Sequence, residues 1–137
     1  MGLCSASNSS AADRLHKQTI VLLDDDESFR NALAENLRDD GYQVVEYATA
    51  HEVPPLTALR EVTVVVTDYD MPGTNGLTFA DTFHAVYPSV PIIIVTGVCT
   101  KSLETQAAAR GFVSVLRKPI QYDQLQDLLY QTSGLGS

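Results

Sequence analysis

Four apolar runs in the sequence each end in residues suited to phosphate chemistry. Ile20-Val21-Leu22-Leu23 leads into Asp24-Asp25-Asp26, and Val62 to Thr67 leads into Asp68. Pro91 to Val95 leads into Thr96-Gly97, and Val113 to Arg117 leads into Lys118-Pro119. One such run carries little information. Four in this order point to one site at one edge of a parallel sheet, because open α/β sheets bind ligands at the carboxyl ends of their strands. Acids, a hydroxyl and a lysine at such an edge suit a divalent metal and a phosphoryl group.

Each residue also has a plainer role. Asp68 can attack a phosphoryl group and hold it as an acyl phosphate, or it can simply hold the turn before Met71-Pro72-Gly73. Asp24 and Asp25 can be a solvated acidic turn before a helix, where acids are favoured. Gathered beside Asp68, they would repel by roughly 4 kcal/mol per pair at 4 Å and an effective dielectric of 20, so a cation is needed. Mg²⁺ suits this role because it takes carboxylate and phosphate oxygens. Lys118 can pair with Asp68 before reaction and with phosphate oxygens afterwards, or it can be an exposed strand-end lysine. Pro119 favours the special turn, since an X–Pro bond can be cis. The Thr96 hydroxyl can bond a new phosphoryl group, or Thr96 can be an ordinary β-branched strand residue. Gly97 leaves room for a close backbone approach.

Positioning these groups requires an alternating series of strands and helices. The pattern predicts strands over Thr19–Leu23, Gln43–Ala48, Val62–Thr67, Ile92–Val95 and Phe112–Arg117. The third and fourth are continuously apolar, as strands covered on both faces should be. A helix follows the first strand, with Phe29, Leu33 and Leu37 on one face, Asp26 as N-cap and Gly41 as stop. A weaker helix near Ala50–Arg60 is interrupted by Pro54-Pro55. Further helices are expected over Leu77–Val86, Lys101–Arg110 and Gln121–Gln131, the last presenting Leu125, Leu128 and Leu129. Such alternation implies a parallel α/β sheet with right-handed crossovers and helices on both faces.

The chain of 137 residues is long enough for one real core. Its 45% hydrophobic and 19% charged content is that of a globular domain. A net charge of -8 argues against direct binding to nucleic acid, itself a polyanion. No apolar stretch reaches the roughly 18 residues of a membrane span. Cys4 and Cys99 make no disulfide framework, and a reducing cytoplasm is the simplest home. The expected organisation is a disordered tail over 1–18, one domain over 19–131, and a tail or linker over 132–137. Met1-Gly2-Leu3-Cys4-Ser5 approaches an acylation signal but has Ala6 where Ser or Thr belongs. The Ser133-Gly134-Leu135-Gly136-Ser137 end reads as a true terminus or as a linker to more chain.

The assembled motifs resemble the receiver domain of bacterial two-component response regulators. They are Val21 to Glu27, Thr67 to Gly73 with Gly76-Leu77, Ile94-Val95-Thr96-Gly97, and Gly111 through Lys118-Pro119. The resemblance covers about Thr19 to Gln131. It implies a doubly wound, flavodoxin-like sheet of order 2-1-3-4-5. It implies Asp68 as phosphoacceptor and Asp24 and Asp25 as Mg²⁺ acids, with Asp25 the preferred direct ligand. The Asp70 backbone carbonyl becomes a third metal ligand, and Thr96 and Lys118 read the phosphoryl group. The implied donor is a phosphohistidine on a sensor histidine kinase or phosphotransfer protein. The implied output is a partner protein, or a second copy, on the face formed by residues 101–130. The domain would be no enzyme beyond its own phosphotransfer and dephosphorylation. One departure stands out: Val115 occupies the switch position where the family usually has an aromatic residue. Asp70 and Val98 occupy positions that tune water's access to the acyl phosphate, and apolar Val98 should slow hydrolysis. The alternative is a haloacid-dehalogenase-type phosphohydrolase reading Asp68-Tyr69-Asp70 as its DxD. Such enzymes carry DxD after the first strand and acids after the lysine, the reverse of the order here. The receiver part of a longer regulator or hybrid kinase is the other alternative.

Overall fold

The computed structural model describes residues 18–54 and 62–132. Five long strands form one parallel sheet: β1 (Thr19–Leu23), β2 (Gln43–Tyr47), β3 (Val62–Asp68), β4 (Ile92–Thr96) and β5 (Val113–Arg117). Their order is β2-β1-β3-β4-β5, as the resemblance implies. Among the described residues, four α-helices flank the sheet: α1 (Glu27–Asp39), α2 (Gly76–Val86), α3 (Lys101–Ala109) and α4 (Tyr122–Thr132). Among the described residues, no helix is long and apolar enough to cross a membrane.

Alternation along the strands divides the core into two halves. Ile20, Leu22, Val64, Val66, Ile93 and Val95 face Leu33, Leu37, Leu125 and Leu129 of α1 and α4. Val21, Leu23, Val65, Ile92 and Ile94 face Phe83 of α2 and Leu103 of α3. Each fully buried aliphatic or aromatic side chain contributes about 1.5–3 kcal/mol. The sheet is therefore held from both faces, and its carboxyl edge is fixed from both faces as well.

Local chemistry sets the helix starts. The Asp26 carboxylate accepts from the Phe29 N–H at 3.1 Å, as expected. Asn75 caps α2 through the Thr78 N–H, and Thr100 caps α3 through the Leu103 N–H. Gly41 follows α1 with φ at 101°, which a glycine adopts without strain.

Several boundaries differ from the sequence reading. β3 and β4 each extend one residue further, so Asp68 and Thr96 are the last residues of their strands rather than the first of their loops. Pairing of Asp68 with Val95 and of Thr96 with Arg117 holds them there. β5 begins at Val113, because Phe112 follows Gly111 (φ 59°) and turns its ring onto His84, with centroids 3.7 Å apart. β2 ends at Tyr47, since the Ala48 N–H donates to the Glu52 carboxylate at 2.8 Å. The helix expected near Ala50–Arg60 is a single 3₁₀ turn at Ala50–Glu52 in its described part. Residues 1–17, with the acylation-like start, 55–61 and 133–137 lie outside the described residues, and Thr132, expected in the C-terminal tail, is the last residue of α4.

Candidate functional site

The register of the sheet builds the site. Leu23 lies opposite Thr67, so Asp24 follows alongside Asp68. Asp68 lies opposite Val95, so Thr96 is one step beyond. Thr96 lies opposite Arg117, so Lys118 comes next, and its backbone N–H donates to the Thr96 carbonyl at 2.8 Å. The Lys118-Pro119 bond is cis. Four residues far apart in sequence thus converge because their strands are in step.

The Asp68 loop is folded tightly against α2. The Gly76 N–H donates to the Tyr69 carbonyl at 2.7 Å. A Cβ at Gly76 would approach the Asp68 carbonyl oxygen to 2.9 Å, which leaves no room for any side chain. Between them, Asp70–Met71 and Thr74–Asn75 form a two-residue antiparallel ladder.

Charge is concentrated and partly hidden. Asp24 is 1% exposed and Asp68 9%, while Asp25 is exposed at the rim. One carboxylate oxygen from each lies within 4.8 Å of the others. Lys118 Nζ is 3.1 Å from Asp24 Oδ2 and 3.4 Å from Asp68 Oδ1. The same ammonium lies 4.5 Å from the centre of the Phe29 ring, a further favourable contact. Burial, and then the neighbouring Asp24, hold the Asp68 carboxyl above the usual carboxylate range, despite the downward pull of Lys118; Asp25 adds a smaller upward push. Burial works against the Lys118 ammonium, but pairing with Asp24 and Asp68 outweighs it and raises its pKa. Three acids against one lysine leave uncompensated negative charge. The donors are all oxygens, so the residues fit a hard divalent cation.

Thr96 is buried, and its hydroxyl is occupied by its own turn. Oγ1 donates to the Val98 carbonyl at 3.0 Å and accepts from the Val98 N–H at 3.1 Å. A Cβ at Gly97 would meet nothing within 4 Å, so the room expected there is open space. Val98 is 71% exposed. It shares a hollow with Tyr69, Asp70, Thr100, Ser102 and Leu103 beside the site. Val115 is half-buried, lies opposite Ile94 and packs on the α2–α3 side of the sheet.

A family model for the response regulator receiver domain matches residues 20–130. The chain belongs to this family. The receiver domain is 30% identical over 112 residues to an NtrX-like response regulator of Rickettsia typhi, covering 80% of this chain and 24% of that protein. It is 31% identical over 107 residues to the C4-dicarboxylate transport transcriptional regulatory protein DctD of Rhizobium meliloti, covering 78% of this chain and 23% of the relative. It thus spans about a quarter of the length of these curated relatives. Among solved structures, it matches the signal receiver domain of an HD domain-containing protein from Pseudomonas fluorescens Pf-5. The TM-score is 0.77 at 28% identity, over 85% of this chain and 87% of that one.

Sequence reasoning named the charged groups that converge at this edge but not the residues that support them. Arg30, Glu46, Phe29 and Gly76 were not singled out for the site. Arg30 left a signal: a cation at the end of a helix's first turn opposes the dipole there and needs a specific partner.

The electrostatics give a stability prediction. A raised pKa means that folded Asp68 binds its proton more tightly than the unfolded chain does, so ionised Asp68 works against folding. That cost is absent below the unfolded value of about 3.9 and grows as pH rises through the folded value. In metal-free buffer at pH 7, Asp68→Asn should melt about 3 °C higher than the unmodified chain. The difference should vanish as the pH falls below about 3.9. Thermal melts followed by circular dichroism check this; a lower melting point at pH 7 would contradict the assignment.

Proposed function

We propose that this receiver domain takes a phosphoryl group from a phosphohistidine onto Asp68 and passes the signal by a change of shape. The observation that carries the reading is the convergence of one ammonium on two buried carboxylates, with a third acid at the rim. Asp24, Asp25 and the Asp70 backbone carbonyl would hold Mg²⁺ with Asp68, Asp25 binding it most directly. Bound there, the ion neutralises the crowded acids and the phosphoryl oxygens.

In the reaction an Asp68 carboxylate oxygen forms the new P–O bond. The P–N bond to the donor imidazole breaks, its electron pair stays on the ring, and the ring takes a proton from solvent. Lys118 then faces phosphoryl oxygens instead of a free carboxylate. Thr96 must give up its bond to the Val98 carbonyl before its hydroxyl can donate to the phosphoryl group. The group adds about 1.5–2 negative charges and three acceptor oxygens, and a full population switch needs a bias of about 5.5 kcal/mol.

The donor is a sensor histidine kinase or phosphotransfer protein, and the setting is the cytoplasm. The output partner, or a second copy, docks on the face of residues 101–130. Val115 cannot make the aromatic swing usual at its position, so the Thr96–Val98 turn carries more of the change. Besides this self-phosphorylation and its reversal, the domain turns over no substrate.

Two measurements test the reading. With Mg²⁺ and a small acyl or amido phosphate donor, the unmodified chain should label and Asp68→Asn should not; full labelling of that variant would refute the assignment. Val98→Glu should shorten the lifetime of the phosphorylated form, followed by loss of label after donor removal. A longer lifetime in that variant would show that apolar Val98 does not restrain hydrolysis.

A further inference from the structure

The backbone of Asp24 is held on both sides. Its N–H donates to the Tyr47 carbonyl at 3.1 Å, and its carbonyl accepts from Arg30 Nη1 at 2.7 Å. Arg30 Nε lies 3.2 Å from Glu46 Oε1, and the Arg30 side chain is only 12% exposed. The other oxygen of Glu46 takes Arg38 Nη1 at 3.1 Å, while Arg38 Nη2 donates to the Val44 carbonyl at 2.8 Å. A continuous set of charge-assisted bonds therefore runs from edge strand β2 through α1 to the acidic loop.

Charge alone does not explain Arg30. It stands near a helix N-terminus, where anions are favoured, and beside a group of acids proposed to bind a cation. Geometry does explain it. A guanidinium presents several donors in a fixed plane, so it can span Glu46 and the Asp24 carbonyl together. An ammonium is a single point and cannot hold both with the same direction.

We infer that Arg30 is a positioning residue for the divalent cation: by fixing the Asp24 carbonyl, it sets the direction in which Asp24 and Asp25 present their carboxylates. The inference rests on the reading of this site as a metal-dependent phosphoacceptor. It has a sign that separates it from simple electrostatics. Removing a positive charge beside a cation site should tighten binding, whereas losing the position of the ligands should weaken it.

The test is a titration of the full chain with Mg²⁺ alone, followed by ¹H–¹⁵N NMR, for the unmodified protein, Arg30→Gln, Arg30→Lys and Glu46→Gln. Arg30→Gln should bind about tenfold more weakly, the lower end of what loss of an orienting partner costs a metal site. Arg30→Lys should also bind weakly although it keeps the charge, and Glu46→Gln should fall between. Saturating Mg²⁺ should restore the labelling rate of Arg30→Gln, an outcome that general damage to the fold would not give. Equal or tighter Mg²⁺ binding by folded Arg30→Gln overturns the inference. If that variant does not fold, Mg²⁺ affinities of Arg30→Lys and Glu46→Gln that match the unmodified protein overturn it instead. An unmodified chain that binds no Mg²⁺ overturns the reading of the site itself.

Discussion

The structure depends on a parallel register that brings like charges together where water is scarce. Asp24 directly follows β1 and Asp68 ends the adjacent β3; both are buried, and Lys118 is the ammonium that pairs with both. Burial and the neighbouring Asp24 make Asp68 resist ionisation. A fold whose only requirement was stability would place a neutral residue at one of these positions. The two-sided core explains how the arrangement survives. Apolar residues alternate above and below β1, β3 and β4, so each strand is fixed by helices on both faces. The unfavourable edge is carried by a sheet that cannot readily shift.

That same tension suits a switch. A site with too much negative charge and one lysine responds strongly to any added cation or phosphoryl group. The Thr96 hydroxyl is bound into its own turn through Val98, and Thr100 begins α3 two residues later. A change at this edge of the sheet would therefore have a short covalent path to α3. Val115 bears on that path, because it packs on the same side of the sheet as Leu103 and Val113. Branching at Cβ restricts a valine's χ1, and the side chain has no ring to swing. On the proposed reading, the loop between β4 and α3 would take the share of the transmission that an aromatic side chain carries elsewhere.

The sequence made the charged residues legible because each followed an apolar run, and strand ends are where α/β sheets do chemistry. Periodicity placed α1 and α4, and Asp26 and Gly41 marked the limits of α1 correctly. What it could not show was three-dimensional support. Arg30 and Glu46 are 16 residues apart and meet only through the pairing of β1 with β2. Gly76 belongs to a matching motif, but why it must be glycine shows only when the Asp68 carbonyl is seen against it. The extension of β3 and β4 by one residue was also hidden, because Asp68 and Thr96 look like loop residues by type while the ladder keeps them in the strand. The helix expected beyond Ala50 failed in its described part, where Glu52 turns back to cap the Ala48 N–H and Pro54 follows.

The central claim is that one carboxylate among these crowded acids becomes an acyl phosphate. It is tested most directly by labelling the chain with a small phosphodonor and Mg²⁺, trapping the acyl phosphate by borohydride reduction, and locating the reduced residue by peptide mass spectrometry. Reduction at Asp68 is the expected result. Reduction at Asp24, Asp25 or Asp70 with Asp68 untouched would contradict it.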